Sequence, residues 1–352
     1  MKRRSFIEKC GLAGASIWYP DLLQASHSIW SNTDYGRESI ADIIIVGGGM
    51  GACAAAIAAC QQGASVIMTE PTDWIGGQVS QQGVPPDEHQ WIEQVAGTDT
   101  YARYRKLIRE YYQANYPLSQ KAKAQTNLNP GNGAVSRICH EPKVSVAVLQ
   151  SMLAPWVSSG KLRLLLHTTP VSATVSGDQI KSVSFFNSSN GMSTDLQAKI
   201  FIDASEEGDL LPLSGTEYVI GAESSEQTGE PRAPEKADPA NIQALTYCFA
   251  VDHMHGEDHI IDRPLMYDFW KSHVPELDPP WSGNLLSLTY SFPRNLTPKS
   301  LPFIPCGSNS PAPNTEDLNL WLYRRIVDRE NFEPGTYTSD ISLINWPQND
   351  YM

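Results

Sequence analysis

Residues 40–46 form a compact apolar run, Ile-Ala-Asp-Ile-Ile-Ile-Val, that stops at three glycines. Its length and β-branching predict a buried parallel strand. Residues 50–62 are rich in alanine, with no breaker beyond Gly51 in the first turn, and predict a close-packed helix. A second apolar run at 64–69 predicts another strand, so the chain opens on a βαβ unit. Further on, Tyr101, Tyr104, Leu107, Ile108, Tyr111 and Tyr112 recur at helical spacing. They predict an amphipathic helix over 101–112 whose aromatic stripe packs into a core. Residues 144–157 predict another helix, with Pro155 near its end. Three short β runs follow at 162–166, 171–175 and 180–187, and read as a small antiparallel meander. A strand is predicted at 199–204 and one more at 341–346. Between them, beyond residue 220, proline-rich text predicts long ordered loops, an inserted region without a derivable internal structure.

Composition narrows this picture. The chain has 352 residues, more than one core holds economically (about 250–300), which predicts two intertwined domains. A hydrophobic fraction of 41% excludes a disordered chain. The net charge of -13 repels phosphate backbones and excludes nucleic acid as an expected partner. No stretch reaches the roughly 20 uninterrupted apolar residues of a membrane span. Six cysteines occur without a C-x-x-C pair, which excludes an iron–sulfur centre, a zinc ribbon or a dithiol, and no ligand spacing supports a metal. Cys53 and Cys60 fall on the predicted first helix and read as small apolar core residues.

The N-terminus changes the expected compartment. Arg3, Arg4, Phe6, Ile7 and Lys9 precede a modest apolar run and then small polar residues near Ala25 and Ser28. That layout resembles a twin-arginine export signal over 1–28, with a linker at 29–39. The expected location is periplasmic or secreted, with the export machinery as a partner. A basic amphipathic helix of a cytoplasmic protein is the alternative.

The densest chemistry lies where the first strand meets the first helix. Gly47, Gly49 and Ala52 satisfy a G-x-G-x-x-G/A spacing. In that reading Gly47 permits a tight turn, Gly49 lets backbone approach a pyrophosphate, and Ala52 allows close helix–strand packing. Met50 and Gly51 open the helix, whose N–H groups and partial positive charge face the phosphates. Ala56 and Ala59 on the inner helix face, Gly63 at the turn and Glu70 after the second strand agree with it. A carboxylate at Glu70 accepts hydrogen bonds from ribose hydroxyls and repels a 2′-phosphate, which disfavours NADP. This is a Rossmann-like dinucleotide fingerprint in an α/β fold.

The chain resembles the FAD-dependent oxidoreductase family of secreted bacterial flavoproteins, some of whose members are labelled xanthan lyase-like. The segments that carry the likeness are Gly47 to Ala52, Glu70-Pro-Thr-Asp-Trp-Ile-Gly-Gly-Gln78, Asn129 to Pro142, Phe201 to Gly208 and Leu320 to Tyr351. The resemblance implies a glutathione-reductase-like FAD domain over 40–220, carrying the meander. Residues 221–352 then hold the substrate-side region and the start of a returning FAD-domain segment. It implies that Gly76, Gly77 and Gln78 pass the cofactor, that the Val171 backbone lies near the adenine, and that Ala204 and Ser205 run close to it. The family places its third glycine where Ala52 stands, and its members continue past Asn349-Asp350-Tyr351, so the chain is expected to be C-terminally truncated. The implied function is flavin-mediated hydride transfer on a small organic or sugar-like substrate, with an unidentified electron acceptor. An NAD-dependent enzyme on the same scaffold and a truncated, non-catalytic cofactor binder are the alternatives.

Catalytic candidates are fewer. Arg137 and His140 stand in a Gly/Asn-rich loop, where a cation stabilises reduced flavin and an imidazole moves a proton. A structural ion pair for Arg137 and a backbone-satisfied loop histidine for His140 are the competing readings. Glu206, Glu207 and Asp209 either face the cofactor or form a solvated acidic turn. No G-x-S-x-G elbow supports a hydrolase, and no residue pattern supports a polysaccharide lyase.

Overall fold

The computed structural model describes residues 39–351 apart from Ala96, His255, Asp278, Pro279, Pro293 and the segment 306–317. The expected export signal at 1–28 and all but the last residue of the linker lie outside the described residues, as do Cys10 and Cys306. The chain divides into two compact units, each made of two segments: 39–74 with 153–216, and 75–152 with 217–352.

The first unit is a six-stranded mixed sheet. It contains β1 (Ile40–Val46), α1 (Met50–Gln61), β2 (Val66–Glu70), β3 (Leu162–Leu166), β4 (Thr168–Ser176), β5 (Gln179–Asn187), β6 (Met192–Asp203) and the short α2 (Leu210–Ser214). The strand order is β3-β2-β1-β6-β5-β4. β1 is parallel to both neighbours, with Ile44 opposite Ile67 on one side and Phe201 on the other. Flanked on both edges, β1 buries Ile44, Ile45 and Val46 almost completely, which is what its continuous apolar run requires. α1 packs on the sheet through Ala52, Cys53, Ala56, Ile57 and Cys60. The core cysteine reading therefore holds, and burial with the Glu70 charge pushes the Cys53 thiol up to about 12.

The expected meander is corrected in one respect. Residues 162–166 do not join it: β3 runs parallel to β2, with Glu70 opposite Leu166. Its Leu-Arg-Leu-Leu-Leu run is that of a parallel strand buried on both faces, not of an alternating hairpin strand. His167 then reverses the chain with a positive φ of 56°, held by Asp73 2.9 Å from its Nε2. The antiparallel part is β4-β5-β6. β6 begins at Met192 rather than 199, because its first half is largely exposed and carries no apolar run. That half pairs with β5, while Gln197 to Asp203 pair with β1.

The second unit is built around helix Asp99–Asn115, which buries Tyr104, Ile108 and Tyr112 as the aromatic stripe predicts. Its Arg105 reaches Glu88 through Nε and Glu93 through Nη2, both at 2.7 Å. The helix Pro142–Ser158 starts on its proline, where a missing N–H costs nothing. Three short antiparallel strands lie in the order Arg325–Val327, Ile341–Ile344, Phe249–Asp252. The strand expected over 341–346 thus ends two residues early.

Candidate functional site

Strand β1 delivers Gly47 to the C-terminal edge of the first unit's sheet. The residue has a φ of 97°, and a Cβ there would sit 2.3 Å from the Ala204 carbonyl oxygen. Ala204 is fixed in turn, because its N–H donates to the Val46 carbonyl at 2.8 Å. The Gly47 N–H donates to Thr69 Oγ1 at 3.3 Å. Only glycine satisfies both the backbone angle and the contact. The turn and the Ala204–Ser205 backbone are therefore one packed unit, as the spacing of the two segments could not reveal.

Gly48 is the position that sequence reasoning passed over. A Cβ there would lie 2.5 Å from Glu70 Oε2 and 2.8 Å from the Glu70 Cβ. The bare backbone lets Glu70 lie beneath the loop, buried at 2% exposure. Glu70 Oε1 accepts from the Thr72 N–H at 2.8 Å and from Thr72 Oγ1 at 2.7 Å. The Gly48 N–H also donates to this carboxylate. Burial raises its pKa above the ordinary value; the Thr72 bonds oppose that rise, and the Glu206 charge adds to it. The signal that could have found Gly48 is its place as the middle glycine of Gly47-Gly48-Gly49, which the fingerprint leaves unassigned.

Gly49 is the N-cap of α1, and no side chain caps the helix or adds an acid to its first turn. The Met50, Gly51 and Ala52 N–H groups therefore stand at a helix end that no capping side chain and no first-turn acid meets. A Cβ on Gly51 would meet nothing within 4 Å, whereas Ala52 is fully buried against the sheet. These features fit a pyrophosphate. One feature opposes it: Glu206 Oε1 lies 3.2 Å from where a Gly49 Cβ would be. Glu206 is exposed, so another rotamer takes it away from the helix end.

Asp203 sets the opposite wall. Its Oδ1 accepts from the Ser205 N–H at 3.1 Å and from Ser205 Oγ at 2.6 Å, and its Oδ2 accepts from the Leu210 N–H at 2.9 Å. Ser205 Oγ in turn accepts from the Asp209 N–H at 2.8 Å. The Phe201 to Gly208 segment is thus a braced turn, with Glu206 and Glu207 exposed on it. Asp209 is pushed above the ordinary range by burial and by the Asp203 and Glu207 charges. Val171 lies half-exposed at a bulge of β4, where the pairing skips from Pro170 to Ser172.

The remaining candidates belong to the second unit. Gly76 and Gly77 have φ values of 116° and 56°, and a Gly76 Cβ would approach Ser80 Oγ at 2.7 Å and Leu149 Cδ1 at 2.9 Å. Gln78 follows them, exposed. Arg137 and His140 lie on the Asn129 to Glu141 loop, which is pinned from within. Asn129 Nδ2 donates to the Gly133 and Ser136 carbonyls at 3.1 and 3.0 Å, and its Oδ1 accepts from the Cys139 N–H at 2.8 Å. Arg325 Nε donates to the Gly131 carbonyl at 2.8 Å, and its guanidinium pairs with Asp340 and Asp328 at 2.7 and 3.1 Å.

His140 is buried at 2% exposure. Its Nδ1 meets the Ile138 carbonyl at 2.5 Å and its Nε2 meets Ser145 Oγ at 2.6 Å, so both ring nitrogens are engaged within the fold. Burial brings its pKa down to about 4, keeping the ring neutral. Arg137 has an exposed side chain with no hydrogen bond or ion pair to the described residues, while its carbonyl accepts from Arg109 Nη2 at 3.3 Å. Among the described residues no cluster of His, Cys, Asp and Glu could hold a metal, and no helix is long and apolar enough to cross a membrane.

Comparison with known proteins places these residues in a family. The family described as FAD dependent oxidoreductase matches residues 42–352. No curated protein matches the chain. Among solved structures, the myxobacterial chondrochloren halogenase, a variant of FAD-dependent halogenases, is 16% identical with a TM-score of 0.30. That match covers 47% of this chain and 37% of the halogenase. A geranylgeranyl bacteriochlorophyll reductase-like protein from Thermoplasma acidophilum is 19% identical with a TM-score of 0.29, covering 47% of this chain and 39% of that one. The 3-ketosteroid-Δ4-(5α)-dehydrogenase from Rhodococcus jostii is 13% identical with a TM-score of 0.28, covering 46% of this chain and 45% of that one. The chain thus spans less than half the length of each of these structures. The family match is of another order, running from within β1 to the last residue, and by it the chain belongs to the FAD-dependent oxidoreductases, with FAD as its cofactor.

Proposed function

We propose that this protein is an exported flavoenzyme that oxidises or reduces a small organic or sugar-like molecule. Bound FAD supplies the hydride acceptor or donor. The protein's own part is to hold and orient it. Gly47 makes the turn, and the Gly49, Met50, Gly51 and Ala52 backbone receives the pyrophosphate. Glu70 receives a ribose hydroxyl. A carboxylate offers about four acceptor sites; the two Thr72 donors and the Gly48 N–H occupy three, which leaves one unfilled. Ala204 and Ser205 flank the cofactor as backbone. Val171 at the adenine, Gly76, Gly77 and Gln78 along the cofactor, and Arg137 and His140 as catalytic groups rest on the resemblance and on residue chemistry. For His140, both occupied nitrogens favour the fold-holding role. Export rests on the Arg3, Arg4, Phe6, Ile7 and Lys9 pattern, which suits a protein that folds around its cofactor before crossing a membrane.

The observation that carries the reading is the pair of forbidden Cβ positions at Gly47 and Gly48, one against Ala204 and one against Glu70. The full chain, purified and heat-denatured, is expected to release FAD identified by chromatography. Release of NAD instead would move the protein to the rival nicotinamide reading, and a colourless preparation that takes up neither on reconstitution would refute cofactor binding. Pairwise replacement of Arg3 and Arg4 by lysine is expected to trap the precursor inside the cell.

A further inference from the structure

His167 joins β3 to β4 at the edge of the first unit's sheet where β2 delivers Glu70, since Glu70 lies opposite Leu166. Among the described residues of that unit, His167 is the one residue other than glycine with a positive φ, 56°. Glycine or asparagine supplies a backbone of that hand most readily. The turn is also braced without the imidazole. Asn187 Nδ2 donates to the Leu166 carbonyl at 2.9 Å and to Thr168 Oγ1 at 3.1 Å. The Ser188 N–H donates to the His167 carbonyl at 2.9 Å. Chain reversal alone therefore does not account for a histidine here.

What the histidine adds is a hold on the segment that follows β2. Its Nε2 lies 2.9 Å from Asp73 Oδ1. An ionised carboxylate only accepts, so this nitrogen carries the hydrogen. The His167 N–H donates to the Thr72 carbonyl at 3.4 Å. Both links fall on Thr72 and Asp73, and Thr72 is the residue whose N–H and Oγ1 fix Glu70 Oε1 at 2.8 and 2.7 Å. The same two-residue stretch is thus gripped by His167 on one side and grips the buried carboxylate on the other. The His167 and Asp73 side chains are 32% and 58% exposed. A bond this open adds little to the stability of a fold, so its effect falls on where the Thr72 loop sits.

We propose that His167 and Asp73 form a clasp that positions the Thr72 loop, and through it the Glu70 carboxylate, for the adenosine end of the dinucleotide. His167 is on this account a positioning residue that acts through Glu70. The inference deepens the cofactor reading and rests on Glu70 receiving a ribose hydroxyl.

Isothermal titration of the deflavinated full chain with ADP and with 2′-deoxy-ADP tests it. The second lacks the hydroxyl that an acid after the second strand receives, so the wild-type chain is expected to prefer ADP. His167→Asn suits the turn and removes the imidazole. It is expected to weaken ADP about two- to fivefold, with 2′-deoxy-ADP and the apoprotein Tm nearly unchanged. Asp73→Ala is expected to do the same from the other end of the bond. The double variant is then no worse than the worse single one, because both remove one interaction. An undiminished preference for ADP in His167→Asn overturns the proposal, as do losses that add in the double variant. Equal weakening of both nucleotides with a lowered Tm overturns it too, since that is the mark of a role in the fold alone. A wild-type chain that binds both nucleotides equally refutes instead the grip of Glu70 on the ribose, and one that binds neither refutes the dinucleotide site; the clasp falls with either.

Discussion

Two glycines four residues apart are expected to respond to alanine with opposite signs. Gly47 has a φ of 97°, and a Cβ on it lies 2.3 Å from the Ala204 carbonyl oxygen and 2.6 Å from its carbon. Forcing a side chain into such a backbone angle costs about 1–3 kcal/mol, and relieving an overlap with fixed backbone costs about 1–3 kcal/mol more. Gly47→Ala is therefore expected to destabilise the apoprotein by about 2–6 kcal/mol. Gly51 sits in the first turn of α1 with nothing within 4 Å of its Cβ position. Replacing a helical glycine by alanine stabilises by about 0.5–1 kcal/mol. Gly51→Ala is expected to raise the apoprotein Tm by a degree or more, and Gly47→Ala to lower it by several. Gly51 is also among the residues whose backbone is proposed to receive the pyrophosphate. The same methyl is thus expected to weaken FAD while strengthening the apoprotein. Scanning calorimetry of deflavinated protein and a flavin titration read the two effects separately. A lower apoprotein Tm for Gly51→Ala, or an unchanged one for Gly47→Ala, refutes the steric reasoning.

Two further predictions concern the second unit. Burial pushes Glu93 up, but its bonds with Arg105 and Arg109 prevail and hold it at about 2, against an ordinary 4.5. Because the folded value is the lower one, this stabilisation is complete above pH 4.5 and is lost as pH falls towards 2. Glu93→Gln leaves Arg109 without a carboxylate partner among the described residues, whereas Arg105 keeps Glu88; the expected cost is about 1–3 kcal/mol at neutral pH, read by urea denaturation, and an unchanged stability would contradict it. His140 falls from an ordinary 6.5 to about 4 through burial. The unfolded chain then takes up the proton first, so stability declines as pH drops from 6.5 towards 4. Its imidazole signal in an NMR titration of the folded protein is expected to stay neutral through that window, and a midpoint near 6.5 would show that the ring is not enclosed as described.

How much of this was legible in the chain depended on how local the governing physics was. β1, α1 and the turn between them could be read because strand burial, helix propensity and glycine sterics act within a few residues. The role of Gly48 could not, because its requirement comes from Glu70, which arrives from the next strand and lies beneath it. β3 was placed in the wrong neighbourhood because period-two and continuous apolar patterns converge over five residues, and the true partner, β2, is separated from it by a long stretch of the second unit. The Asn129 to Glu141 loop shows the same limit from the chemical side. Its Arg, His and Asn residues invite a catalytic reading, yet Asn129 and His140 use their polar atoms on the fold itself, and Arg325, nearly two hundred residues on, completes the loop. Residue types alone cannot separate a polar cluster that holds a loop from one that meets a substrate. What separates them is whether the donors and acceptors are already paired. By that criterion Asn129 and His140 are satisfied within the protein, whereas the exposed Arg137 side chain is not. An unpaired group such as the Arg137 guanidinium, rather than the paired Asn129 and His140, is where a ligand gains most from binding.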